Sequence, residues 1–240
     1  MNFVAAKADG PNLIGIGLYT ASEAGKLIAV PATRIRRWLL GHAYRRDGQR
    51  QWSDPLWQPQ VPRLGKDVEL GFRDLLELRF VEAFLQAGLS LHAIRKALHV
   101  ARDVTGLSHP FASARFQTDG RSIFLRVADE FEGEQVEPVL IDLLRKQYAL
   151  GRVIEPSLKD LDFDADGIAA RWWPMGKAKS VVLDPAHAFG RPMIAGVGVT
   201  TRTLADAVTA EGSVDQVARL YEVPIAAVRE AVGFERRLAA

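Results

Sequence analysis

Nine basic side chains, Lys26, Arg34, Arg36, Arg37, Arg45, Arg46, Arg50, Arg63 and Lys66, fall within 41 residues that hold only two acids, Asp47 and Asp54. Seven of the nine are arginine, whose planar fork of N–H donors matches phosphate oxygens two at a time. A net charge of +7 over so short a span is the footprint of a surface that takes polyanions, nucleic acid first among them. A solvated basic face with no partner has the same composition. The imbalance is local. Residues 1–110 carry 15 Lys and Arg against 10 Asp and Glu, residues 111–180 carry 10 against 12, and residues 181–240 carry 6 against 7. The whole-chain net of +2 therefore conceals a basic N-terminal part.

Other residue types suggest chemistry and fail on spacing. From Asp162, oxygens fall at positions 1, 3 and 5 of a calcium loop (Asp162, Asp164, Asp166) with Gly167 at 6, but position 12 is Trp173 instead of a bidentate Glu. An acidic turn before a strand is the better account. His92 and His99 stand seven apart on one helix face, too far to share an ion, and His42, His109 and His187 are isolated. Gly196-Val197-Gly198 lacks the third glycine of a nucleotide loop. No Ser/His/Asp motif is present, so the expectation is no enzyme, no cofactor and no metal. The absence of cysteine excludes disulfides, thiolate zinc sites and thiol sensing, and fits a reducing cytoplasm. MNFVAAKADG has no basic n-region and is not a signal peptide; no apolar stretch approaches the roughly 18 residues of a membrane span.

The elements that must position the arginines are legible. Thr20-Ala21-Ser22-Glu23 is a capping box that opens a short helix through Leu27 and Ile28. Pro31 suits the first turn of a second helix, which runs to about Leu40 and stops at Gly41. Ile35, Trp38 and Leu39 face the core; Thr33, Arg34, Arg36 and Arg37 are left outside. With Ala24 and Gly25 small at the crossing, the pair makes a helix-turn-helix. Tyr44 to Trp52 is a two-stranded ribbon about Asp47-Gly48, with arginines on both strands. Two more helices follow, the first with apolar rows Leu76, Phe80, Phe84 and Leu78, Val81, Leu85, the second opening at Ser90 with Leu89 and Ile94 as a staple.

The middle, residues 111–180, reads as an α+β linker: a hairpin over Phe116–Phe124 about Asp119-Gly120, an amphipathic helix over Glu137–Tyr148, and short strands at Ile168–Trp173 and Ser180–Leu183, with one of Trp172 and Trp173 in the core. The C-terminus repeats the first pattern. Ser213 and Gln216 correspond to Thr20 and Glu23, Ala218 to Gly25, Val223-Pro224 to Val30-Pro31, Val228-Arg229 to Ile35-Arg36 and Val232 to Leu39. Where the first copy places Arg34 and Arg37 outward, the second is expected to place Ala227 and Glu230. Glu is ill suited to approach phosphate, so this module is expected to hold a protein or support a dimer.

YTASEAGKLIAVPATRIRRWLLG, the ribbon, and ELGFRDLLELRFVEAFLQAGLSLHAIRKAL resemble a MerR-type winged-helix DNA-binding domain over about residues 15–105. The resemblance implies that the 31–40 helix reads the major groove and that the Arg45–Arg50 ribbon is a wing on the backbone. After Thr105 there is no long helix for that family's dimer coiled coil. GRPMIAG at Gly190 and SVDQVARLYEVPIAAVREAV resemble an uncharacterised domain found in antitoxins of bacterial toxin–antitoxin operons, and the whole chain resembles a VapB-type antitoxin of the mycobacterial sort. The fold so implied is mainly α (α+β): a winged helix at 15–110, an α+β middle segment with a β-hairpin at 111–180, and a three-helix helix-turn-helix module at 181–240. The partners so implied are double-stranded operator DNA, bound for autoregulation, and a PIN-like ribonuclease toxin. A homodimer on a two-fold site is expected because one helix-turn-helix reads a short site. DNA contacts fall to Thr33, Arg34, Arg36, Arg37, Arg45, Arg46 and Arg50. A free-standing regulator with a ligand-sensing middle segment, and a protein-interaction scaffold, are the other classes open to this sequence.

Overall fold

Thr20 ends one element and caps the next. Strand β1 (Tyr19–Thr20) runs into α1 (Ala21–Ile28), where the Thr20 hydroxyl accepts from the Glu23 amide at 3.2 Å and the Glu23 carboxylate accepts from the Thr20 amide at 2.8 Å. The structure, a computed structural model, describes residues 13–63, 65, 67–129 and 154–239. Ala29 turns the chain at φ +56, and after Pro31 helix α2 (Ala32–Leu40) buries Ile35, Trp38 and Leu39. A Cβ on Gly25 would overlap the Val30 carbonyl oxygen, so only glycine lets the turn fold back this tightly on α1. Gly41, at φ +71, leads into the antiparallel ribbon of β2 (His42–Arg46) and β3 (Gln49–Ser53). Both turn residues, Asp47 and Gly48, have positive φ (53° and 78°), which matches ribbon twist in a two-residue turn.

Strand β4 (Glu69–Leu70) pairs with β1 and opens α3 (Phe72–Gln86). Helix α3 is buried on nearly every side, as a central helix must be, from Phe72 through Leu75, Leu78 and Val81 to Phe84. Its two charged core residues are satisfied. Asp74 accepts four hydrogen bonds: from Trp57 Nε1 (2.7 Å), His109 Nε2 (2.7 Å), and the Gln60 and Gly71 amides (2.9 and 2.8 Å). Glu77 accepts from the Phe111 and Ala112 amides, both at 3.2 Å, and burial pushes its carboxyl up to about 7. Helix α4 (Leu91–Thr105) is capped by Ser90, whose hydroxyl accepts from the Ala93 amide; Leu89 and Ile94 are both buried.

The expected hairpin at Phe116–Phe124 is instead part of helix α5 (Ala114–Asp129). Phe116, Ile123, Phe124 and Val127 are fully buried at helical spacing, and Phe116 and Phe124 join Phe80, Phe84 and Phe111 in one aromatic cluster. Gly120 serves close packing rather than a turn, since a Cβ there would sit 2.9 Å from the Ile154 side chain. Burial of four large side chains outweighs the local turn preference of Asp-Gly. The middle hairpin exists further on, as β5 (Leu161–Phe163) and β6 (Ala169–Trp172). The three aspartates serve its turn and flank: Asp164 accepts from the Asp166 and Ile168 amides, and Asp162 from Trp173 Nε1 and Lys177 Nζ. Trp172 is core and Trp173 half-buried. The helix expected at Glu137–Tyr148 lies outside the described residues.

Strand β7 (Val181–Val182) pairs with β8 (Met193–Ile194), and α6 (Thr201–Glu211), α7 (Val214–Leu220) and α8 (Ile225–Ala239) complete the C-terminal module. The protein is thus mainly α, with small antiparallel ribbons, in the α+β class. One hydrophobic cluster runs from Tyr19 to Leu183, so the 111–180 stretch shares the N-terminal core. A second spans Val181 to Phe234, and Leu27 of α1 packs against both. Two details of the C-terminal module differ from expectation. Ser213 accepts from the Gln216 amide, but the Gln216 side chain donates to Glu211 rather than completing the box. Ala227 is buried, not outward, because its face of α8 packs toward the module's core. Glu230 beside it accepts from the Ser180 amide at 2.7 Å and pairs with Lys179 at 3.3 Å.

Candidate nucleic-acid interface

Helix α2 and the β2–β3 ribbon carry the basic side chains. Thr33, Arg34 and Arg37 are exposed on α2, and Arg36 is half-exposed. Arg34 Nη1 lies 3.1 Å from Glu82 of α3, with its guanidinium 6.0 Å from the Trp38 ring centroid. Arg36 holds Asp67 in a two-pronged pair (2.7 and 2.9 Å), and this contact brings the Asp67 carboxyl down to about 2. Two of the four outward residues of α2 are therefore engaged within the protein. A phosphate could replace the Asp67 carboxylate, because that pair lies at the surface, where an ion pair contributes little; Glu82 is mostly buried and also accepts from Gln86.

On the ribbon, Arg45 stands directly opposite Arg50, and Ala43 opposite Trp52. Side chains alternate across a ribbon, so Arg45, Arg50 and Trp52 share one face. All three are exposed, Trp52 by 58%. Like charges directly opposite each other destabilise a strand pair, and among the described residues neither arginine faces an acid that would relieve it. Tyr44, on the other face, donates to Gln51. The Arg46 side chain and Lys66 lie outside the described residues; Arg63 donates to the Gly65 carbonyl.

The structure brings α2 and the ribbon together through their shared root. The Leu56 amide, just past β3, donates to the Trp38 carbonyl of α2 at 2.8 Å. Arg95 of α4 donates to the Pro55 and Asp54 carbonyls (2.9 and 2.8 Å) and to the Ser53 hydroxyl (3.3 Å). No local sequence rule singles out Arg95, because its acceptors lie some forty positions away. Trp52 was available to sequence reasoning: strand alternation counted outward from Asp47-Gly48 places it beside both arginines.

The C-terminal module meets the N-terminal unit at Leu18 and Tyr19. The Tyr19 hydroxyl donates to the Gly190 carbonyl at 2.6 Å, and the Leu18 amide to the Phe189 carbonyl at 2.9 Å. Burial raises the Tyr19 hydroxyl far above its ordinary value and keeps it a donor. Ala188, Phe189 and Gly190 all have positive φ (47°, 55° and 77°), a conformation costly for the first two, and Tyr19 leaves no room for a Cβ at Gly190.

Comparison with known proteins agrees with this layout. Residues 17–98 match the family described as "Putative DNA-binding HTH domain", and residues 181–234 match "Protein of unknown function (DUF433)". The chain is 28% identical over 224 residues to "Putative antitoxin VapB45" of Mycobacterium tuberculosis, covering 90% of this chain and 93% of that protein. Its fold superposes on the X-ray crystal structure of Rv2018 from Mycobacterium tuberculosis with a TM-score of 0.69, at 24% identity, over 91% of this chain and 98% of that one. Among the described residues no helix is long and apolar enough to cross a membrane. Over nine-tenths of its length the chain is thus similar in sequence to a protein named as a putative VapB antitoxin, and it matches a helix-turn-helix family model followed by a DUF433 model.

Proposed function

We propose that the chain binds double-stranded operator DNA as a homodimer, represses its own operon from the cytoplasm, and neutralises a PIN-like ribonuclease toxin without catalytic activity of its own. In this reading the N-terminal unit, residues 15–110, works as a MerR-like winged helix. Thr33, Arg34, Arg36 and Arg37 meet base edges or phosphates, and Arg45, Arg46 and Arg50 clamp the adjacent backbone. The observation that carries the reading is the Arg45–Arg50 pair, two exposed like charges held face to face on a projecting ribbon. A phosphate between them turns a repulsion into two charge-assisted hydrogen bonds. The C-terminal unit, residues 181–240, joined through the middle segment 111–180, serves protein contacts. The first part of α8 exposes Ala226, Gly233 and one arginine, Arg229, where α2 exposes Arg34 and Arg37; Arg236 and Arg237 are exposed further along it.

The test uses DNA from upstream of the chain's own coding sequence. Arg34→Ala with Arg37→Ala is expected to weaken binding at least about tenfold and to lower the slope of log K against log[salt] by up to about 2. Unchanged affinity and slope would rule out α2 as the reading helix. Co-expression with the neighbouring gene's product addresses the toxin: a stable complex lacking ribonuclease activity is expected. DNA binding that responds to a small molecule, with no such complex, would favour a free-standing regulator instead.

A further inference from the structure

We infer that Arg95 is the positioning residue of the wing: from α4 it sets where Arg45 and Arg50 stand relative to α2. The inference rests on the DNA-binding reading above. A two-stranded ribbon is marginal by itself and takes its direction from whatever holds it. An open crevice of about 430 Å³ separates His42, Tyr44 and Trp52 from Leu91 and His92 of α4. The ribbon's root carries anchors to the body. There, Gly41 is hemmed in by the Ser53 carbonyl and the Trp52 ring, and the Leu56 amide ties the exit of β3 to the end of α2.

Arg95 supplies the remaining constraint. One planar, half-buried guanidinium takes the Ser53 hydroxyl and the Asp54 and Pro55 carbonyls, three successive residues at the exit of β3. Since α4 is a fixed part of the core through Ala93, Ile94, Ala97 and Leu98, the grip converts a hinge into a bracket. Lysine keeps the charge but cannot span three acceptors with a flat fork. That difference separates positioning from direct phosphate contact.

The experiment measures affinity and salt slope on a short labelled DNA duplex of mixed sequence, with the full chain, for Arg95→Lys, Arg95→Ala, Arg45→Ala with Arg50→Ala, and the latter pair combined with Arg95→Lys. The ribbon pair is expected to lower the salt slope by about 2 and to weaken binding about tenfold or more. Arg95→Lys is expected to reproduce most of that loss with its charge intact, and the triple variant to be no weaker than the ribbon pair. Amide exchange of residues 43–52 is expected to accelerate in Arg95→Lys while that of α3 does not, which keeps the result readable if Arg95→Ala fails to fold. If Arg95→Lys retains the wild-type slope, or if the triple variant shows the sum of the two losses, Arg95 does not position the wing. If the ribbon pair itself has no effect, the wing reading fails first and the inference with it.

Discussion

The two helix-turn-helix modules share a skeleton down to single hydrogen bonds and differ in what they put on it. In the first, the Val30 amide donates to the Gly25 carbonyl at 2.9 Å; in the second, the Val223 amide donates to Ala218 at 3.0 Å. Pro31 accepts from the amides of Arg34 and Ile35, and Pro224 from those of Ala227 and Val228, with distances of 2.8 and 3.2 Å against 2.9 and 3.2 Å. Even the left-handed turn residue recurs, Ala29 at φ +56° and Glu222 at φ +55°. The difference lies on the second helix. Arg34 and Arg37 are exposed, whereas of their counterparts Ala227 is buried in the module's core and Glu230, half-buried, is fastened to the Ser180 amide. The pair shows that this fold constrains the turn, while residues along the second helix differ between the copies both in type and in burial.

The largest expected effect probes the turn itself. Gly25→Ala drives a Cβ into a backbone oxygen and is expected to cost about 3 kcal/mol and to abolish DNA binding. Ala218→Gly, at the matching position, is expected to cost only about 1 kcal/mol. Urea unfolding with a DNA titration compares them, and equal costs would break the claim that the first crossing is the tighter. Next comes pH, to which one carboxyl in each region responds in the opposite direction. The Glu77 carboxyl is raised from 4.5 to about 7, so its contribution is complete below the lower value and lost as pH rises through the upper, up to about 3 kcal/mol. For Glu230, burial opposes ionisation, but the Ser180 amide and Lys179 outweigh it and lower the carboxyl, so its contribution is held above the ordinary carboxylate range and lost in acid. Stability profiles of Glu77→Gln and Glu230→Gln should each lack one limb of the wild-type curve; profiles parallel to wild type would count against the assignment. Below about pH 7 Glu77→Gln should also lower stability, since its NH₂ would face one of two backbone donors, and the gap should narrow as the pH rises and the wild-type carboxyl ionises. The smallest effect concerns Gly233, which has open space around it on α8. Gly233→Ala is expected to stabilise by about 0.5–1 kcal/mol, measured as a raised Tm. A lowered Tm would mean that this stripe is covered in solution, and the contrast with Gly25 would fade.

Much of the first module was legible because its rules are local. A capping box, a proline and an Asp-Gly turn act over two to four residues, and each formed where the sequence placed it. The same reasoning misplaced Phe116–Phe124, because Asp119-Gly120 carries a turn signal while three phenylalanines elsewhere, Phe80, Phe84 and Phe111, supply the partners that favour a helix there. Ala227 was misassigned for a related reason: helical spacing gives the faces, but what covers them comes from other segments, here those of the module's own core. The candidate site divides the same way. Its arginines are visible as composition, whereas the pairing of Arg34 with Glu82, of Arg36 with Asp67, and the hold of Arg95 on the ribbon root depend on partners 31 to 48 positions distant.

The Tyr19–Gly190 hydrogen bond joins residues 171 positions apart. During synthesis, α1 and α2 emerge long before the loop that receives the Tyr19 hydroxyl, and closing so long a segment is slow by comparison with forming a helical turn. Water must serve as the acceptor until the last quarter of the chain is made. Maturation is thereby staged: α1 and α2 form locally, and the clasp shuts only on a chain translated at least through Gly190. A prematurely terminated product therefore retains the arginines but leaves β1 unlatched, so completion of translation becomes a condition for the final form of the very first module made.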